Sequence, residues 1–126
     1  MKAISTISAP KAIGPYSQAI VEGGFLFASG QVPLDPITGR LVEGGFEASA
    51  ERVLDNLEAI LSEAGLGFAD VVKTTVYLTR AGDFAAMNAA YARRFGEHRP
   101  ARSTVIVAAL PADAPLEIDL IARVAR

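Results

Sequence analysis

Arg102 and Glu117 are the residues of this sequence whose type and setting could do chemistry together. Arg102 follows Pro100-Ala101 and precedes the β-branched run Thr104-Val105-Ile106-Val107. A proline does not sit inside a central strand, so the strand begins just after Pro100 and holds Arg102 at its entrance. A guanidinium fixed there can grip a carboxylate through two parallel hydrogen bonds. Fifteen residues on, Glu117 stands with Asp119 in an otherwise apolar-alternating strand, where a carboxylate could handle a proton. An anion anchor and a proton carrier are the smallest kit for hydrolysing a small organic acid. Both residues also have structural roles open to them. Arg102 could be an interface ion pair, a solvated strand-end charge, or a partner of Glu117 across neighbouring strands. Glu117 could be an edge charge that discourages aggregation.

Weaker candidates surround this pair. Tyr16 follows Gly14-Pro15, a rigid turn that holds its ring for packing or for a ligand. Ser29-Gly30-Gln31 ends a strand, and its glycine lets a ligand approach the backbone closely. His98 reads as a surface-loop residue, Asn88 as an inward amide satisfying backbone groups, and Lys73 as a solvated strand lysine.

Composition removes several function classes. With 126 residues there is room for one domain, 1–126. The chain has no cysteine, which excludes disulfides, thiol nucleophiles and thiolate metal sites, and one histidine, which excludes a double-histidine ribonuclease mechanism. Net charge is −2, and no basic stripe suited to nucleic acid is present. Mean hydropathy is +0.31, yet no apolar run approaches the roughly 20 residues of a membrane span. Lys2 is followed by no apolar signal region, so a cytoplasmic location is expected. The apolar excess, 51% of residues, is better used in burying a face of the monomer against other subunits.

The elements that must position these residues follow from the spacing of apolar side chains. Gly23-Gly24 predicts a hairpin turn into a strand over 25–29 that stops at Gly30, and 35–39 reads as a surface turn. Ala50, Val53, Leu54, Leu57, Ile60, Leu61 and Ala64 form one helical stripe, closed by Gly65 with Leu66 as its hydrophobic contact. Over 70–78 the residues alternate: Val72, Thr74, Val76 and Leu78 face one way, and Val71, Lys73, Thr75 and Tyr77 the other. A second helix is predicted from an Asp83 N-cap to Gly96, with Phe84, Met87, Tyr91 and Phe95 inward. The last two strands are expected over 104–109 and 116–124, and a short extra strand near 3–5. The result is an α+β domain of order β-β-α-β-α-β-β. Two helices cover one face of the sheet, and the other is too apolar for water.

Six segments in order resemble the Rid family, the reactive intermediate deaminases also called YjgF. They are Ala12-Ile13-Gly14-Pro15-Tyr16-Ser17-Gln18-Ala19, Ser29-Gly30-Gln31-Val32-Pro33, Val72-Lys73-Thr74-Thr75-Val76-Tyr77-Leu78, Met87-Asn88-Ala89-Ala90-Tyr91, Pro100-Ala101-Arg102-Ser103 and Leu116-Glu117-Ile118. The resemblance implies a chorismate-mutase-like fold, mainly antiparallel, assembled as a homotrimer with clefts between subunits. It implies hydrolysis of 2-iminobutanoate and 2-iminopropanoate to 2-keto acids and ammonia, with no metal or organic cofactor. Arg102 would bind the substrate carboxylate, Glu117 would handle the proton, and Tyr16, Ser29 and Gly30 would shape the cleft. Many family members carry a cysteine where this chain has Thr104; threonine keeps the backbone carbonyl proposed to hold water but excludes thiol modification. The competing class is a non-catalytic trimer that binds small acids and regulates or protects amino-acid metabolism. A ribonuclease reading attached to relatives is opposed by the acidic balance and the single His98.

Overall fold

The computed structural model describes residues 1–124. In chain order the elements are β1 (Lys2–Ile4), β2 (Ala19–Glu22), β3 (Phe25–Gln31), α1 (Gly45–Glu63), β4 (Val71–Leu78), α2 (Phe84–Phe95), β5 (Ala101–Ile106) and β6 (Leu116–Arg123). They build one six-stranded sheet of order β1-β2-β3-β6-β4-β5. Every pair is antiparallel except β4 with β5, whose connection runs through α2. The α+β expectation, with the extra N-terminal strand, matches this architecture.

Local chemistry accounts for the joints. Gly23 and Gly24 both have positive φ, 61° and 85°, which a two-residue hairpin whose turn matches strand twist requires. At the end of α1, Gly65 takes φ 77°; its N–H donates to Ser62 O and the Leu66 N–H to Leu61 O. That is the paired closure expected of a glycine followed by an apolar contact. Asp83 stands at the N-cap position of α2, but its carboxylate makes no capping bond.

Both helices lie on one face. Val53, Leu54, Leu57, Ile60 and Leu61 of α1, and Met87, Ala90, Tyr91 and Phe95 of α2, join Leu26, Val76, Leu78, Leu116, Ile118 and Leu120 of the sheet in one core. Each fully buried aliphatic side chain contributes roughly 1.5–3 kcal/mol. Arg94 of α2 ties the helices together through Glu51, Asp55 and Glu58 of α1. Among the described residues no helix covers the opposite face, where Phe25, Phe27 and Val105 stay exposed on the side that carries Thr75, Tyr77, Glu117, Asp119 and Ile121.

Four sequence expectations are corrected. The alternation of β4 breaks at its start: Val71 is paired with Ala122 but Lys73 with Ile121, so Val72 is an extra residue. This bulge sends Val71 into the core and leaves Val72 exposed, reversing the predicted facing of both. Phe84, expected inward, lies 43% exposed at the first turn of α2. β5 occupies Ala101–Ile106 rather than 104–109, because pairing with β4 begins at Lys73 opposite Ala101. His98 is half-buried rather than loose: its Nε2–H donates to Val71 O at 2.6 Å, pinning the connection between α2 and β5.

Candidate functional site

Glu117 enters β6 from the loop after β5, on the uncovered face of the sheet. β6 lies between β3 and β4, and its two acids lean opposite ways. Opposite Ser29 and Gly30 the pairing of β3 with β6 slips, from Ala28↔Leu120 to Gln31↔Ile118. Two residues of β3, Ser29 and Gly30, thus oppose the single residue Asp119 of β6, a bulge that opens a slot. The Glu117 carboxylate fills it. A Cβ placed on Gly30 would overlap the carboxylate and stand only 2.7 Å from Glu117 Cδ and 3.0 Å from its Cγ. Gly30 is therefore required for room, not for an unusual backbone angle.

The slot opens into a cavity of about 350 Å³ lined by Tyr16, Ser29, Gly30 and Glu117 together with Lys11 and Pro111. Burial in this cleft, with the neighbouring Asp119 charge, raises the Glu117 carboxyl above its ordinary value. A carboxyl so placed binds its proton more tightly than one in water, which suits a group able both to take and to return a proton.

The loop across the mouth is held by buried polar contacts. Gln18 Nε2 donates to Pro10 O at 2.8 Å and to Thr6 O at 3.1 Å, while its Oε1 accepts from the Thr6 N–H at 2.7 Å. Ser29 Oγ donates to Ser17 O at 2.6 Å. At the loop's end the Tyr16 N–H donates to Gly14 O, a tight turn centred on Pro15 whose φ is fixed by its ring. The Tyr16 ring folds back over Gly14, where an added Cβ would meet it at 3.3 Å. The phenol, 49% exposed, stands at the cavity edge. Gln18 was not singled out for this role from sequence; its position between a turn and a strand follows no period that marks an amide as buried.

Arg102 lies elsewhere. In β5 it is paired with Thr74, whose side chain faces the helices, so Arg102 projects on the helix side of the sheet, the side opposite Glu117. Its guanidinium carbon stands 4.9 Å from the centre of the Tyr91 ring and 5.8 Å from that of Phe84, with Nη1 4.0 Å from Met87 Sδ. Tyr91 is itself held by a 2.8 Å bond to Thr74 Oγ1 and by stacking on Phe95. Among the described residues no carboxylate pairs with Arg102. The group is propped by aromatic faces, and among the described residues its donors make no hydrogen bond beyond the long one to Met87 Sδ; it lines a second cavity of about 330 Å³ with Asn88 and Arg99. Thr104, half-buried two residues along β5 on the same side, lines neither cavity. The structure thus brings Tyr16, Ser29, Gly30 and Glu117 together and leaves Arg102 and Thr104 apart from them. The cross-strand contact between Arg102 and Glu117 is not made: β4 separates their strands and their side chains leave opposite faces.

Among the described residues no helix is long and apolar enough to cross a membrane. The family model described as "Endoribonuclease L-PSP" matches residues 6–124. A protein of Salmonella typhimurium named 2-iminobutanoate/2-iminopropanoate deaminase is 48% identical over 124 residues, covering 96% of each chain. A RutC family protein of Pyrococcus abyssi is 52% identical over 119 residues, covering 94% of each. The crystal structure of RidA from an Antarctic Psychrobacter superposes with a TM-score of 0.94 at 44% identity, covering 98% of this chain and 99% of that one. The fold, the family model and these near-full-length similarities agree: the chain belongs to the Rid family.

Proposed function

We propose that this protein hydrolyses reactive 2-imino acids, among them 2-iminobutanoate and 2-iminopropanoate, to 2-keto acids and ammonia, in clefts completed between the subunits of a homotrimer. The observation that carries this reading is the Glu117 carboxyl, seated in a glycine-made slot and aimed into a cavity large enough for a small acid. The named deaminase at 48% identity supports the same chemistry. Arg102 and Glu117 face opposite sides of one sheet, so the arginine that meets a given Glu117 comes from a neighbouring copy. The uncovered apolar sheet face supports that assembly.

The steps follow from these groups. Arg102 of one subunit grips the substrate carboxylate in a bidentate pair and orients C2 of the C=N bond. Glu117 accepts a proton from a water as its oxygen bonds to C2, and the C=N electron pair moves to nitrogen. The proton returned by Glu117 goes to that nitrogen, the C–N bond breaks with its electron pair leaving on ammonia, and the carbinolamine hydroxyl gives its proton to the freed Glu117 carboxylate, which passes it to solvent as the ketone forms. Tyr16 closes the mouth of the cleft, Ser29 and Gly30 form its wall, and the Thr104 carbonyl helps hold the water. The iminium carbon is already electrophilic, so positioning supplies most of the gain and no metal or organic cofactor is needed. His98, bonded to Val71, is outside the Glu117 cavity and offers nothing to an RNA-cleaving mechanism.

A coupled assay tests this. An amino-acid oxidase generates the imine, semicarbazide competes for it, and purified protein is added. Wild type should suppress semicarbazone formation, while Arg102→Ala should lose at least tenfold in kcat/KM, the loss of a charge-assisted pair being about 1.5–3 kcal/mol. Arg102→Lys should recover little, since an ammonium lacks the planar fork. No suppression by wild type across several precursor amino acids would leave a trimer that binds small acids without turning them over.

A further inference from the structure

Among the described residues Glu117 receives no hydrogen bond from another side chain, although a phenol is its direct neighbour. Tyr77 of β4 is the cross-strand partner of Glu117, a position from which side chains normally touch. Its hydroxyl goes elsewhere, donating to Asp119 Oδ2 at 2.9 Å, diagonally across the pair. Glu117 leans toward Gly30 of β3 and Asp119 toward Tyr77 of β4, so the acids of one strand serve opposite neighbours. We propose that Asp119 is a positioning residue for Glu117: it holds the Tyr77 hydroxyl away from the cleft carboxylate and keeps a negative charge on the same face.

Two residues along a strand, side chains of one face stand about 7 Å apart, close enough for a like charge to be felt. Burial first, and the Asp119 charge in the same direction, disfavour the ionised form of Glu117, and the hydrogen bond to Asp119 also raises the Tyr77 phenol. A phenol donating to Glu117 would do the reverse, stabilising the carboxylate and blunting it as a base. The other groups facing Glu117 are few. β3 offers Ser29, Gly30 and Gln31, none titratable; the N-terminal loop offers Lys11 and Tyr16, and the loop before β6 offers Pro111. On β4, Lys73 is occupied by Thr74 O, Thr75 Oγ1 and Ser103 Oγ. Asp119 is thus the one acid beside Glu117 on this face among the described residues.

The inference deepens the deaminase reading and rests on it for its catalytic meaning, but its test does not. Side-chain carboxyl carbons of selectively labelled protein are titrated by NMR, the Glu117 signal being identified by its loss in Glu117→Gln. In Asp119→Asn, which keeps an acceptor for Tyr77, the Glu117 midpoint should fall by about half to one pH unit, as expected for removing a like charge at this distance. Asp119→Ala should lower it further by freeing Tyr77, and adding Tyr77→Phe to Asp119→Ala should return it to the Asp119→Asn value. The acidic limb of the kcat/KM profile should move with the midpoint. An unchanged Glu117 midpoint in Asp119→Asn with native circular dichroism overturns the proposal. So does an equal midpoint in Asp119→Ala with and without Tyr77. Midpoints that shift in this order in a protein inert toward imines support the positioning pair and sink the deaminase reading.

Discussion

At the scale of single residues, the site turns on what Gly30 lacks. Adding one methyl there pushes the Glu117 carboxylate out of its slot, and because that carboxylate ends a flexible side chain, it can move without unfolding the strand. Gly30→Ala is therefore expected to keep most of its stability, losing no more than about 1 kcal/mol in urea titrations, while turnover falls at least tenfold. Equal losses of stability and activity would mean that the glycine serves the sheet and not the acid. Glu117 itself carries a cost to folding. Its proton is held more tightly in the folded chain than in the unfolded one, so stability declines as pH rises through its range and the carboxyl ionises. Glu117→Gln should abolish turnover yet melt higher than wild type near neutral pH, with the difference shrinking toward pH 4. Thermal melts across pH read this directly; a lower melting temperature for the glutamine variant at neutral pH would contradict the burial argument.

At the scale of elements, the two bulges mark where sequence and structure part. The apolar stripe of α1, the Gly65 closure, the glycine hairpin and the inward face of β6 were legible because each follows from periodicity or from backbone freedom at a named residue. The reversal at Val71 and Val72 was not, since an extra residue is defined only by the strand paired with it, and β6 lies about 50 residues further on. Phe84 misled for a similar reason: helical spacing points it inward, but α2 begins there and the ring stays exposed beside Arg102 of the edge strand β5. Within the candidate site, residue types were legible and sidedness was not. Nothing local in either strand tells that β4 separates β5 from β6, or that Arg102 and Glu117 leave opposite faces. Gln18 also belongs to this scale, because its amide hangs the whole 6–17 loop on β2. Gln18→Leu would strand the Thr6 N–H and several carbonyls, at an expected cost of about 2–4 kcal/mol in chemical denaturation. The loop should be the first segment to gain protease sensitivity.

At the scale of the whole molecule, one chain holds two half-sites that do not meet. If copies complete each other, mixing two inactive variants should restore function. In the proposed trimer, refolding equal amounts of Arg102→Ala and Glu117→Gln makes about three-quarters of the trimers mixed, each with one cleft holding both groups, and about a quarter of the wild-type rate should return. Failure of mixed, refolded trimers to exceed either parent would place both groups in one subunit's own cleft or remove one from the reaction. The uncovered face should report assembly independently. Phe27→Asp places a charge beside Phe25 and Ile121 on that face, and is expected to give a smaller species by light scattering, with little secondary structure lost.

The place of β6 in the sheet also matters for how the chain is made. It is the last strand in sequence among the described residues, yet it lies between β3 and β4 and joins two otherwise separate units, the three strands β1-β2-β3 and the pair β4-β5. Until residues 116–123 have left the ribosome, those strands present two unpaired, largely apolar edges facing each other across a gap. Any chain stalled short of β6 is thus a sheet with its middle missing, open to pairing with a like fragment. Because the strand that seals that gap is also the one that carries Glu117, the carboxyl of the candidate site is installed by the same event that removes the risk of aggregation.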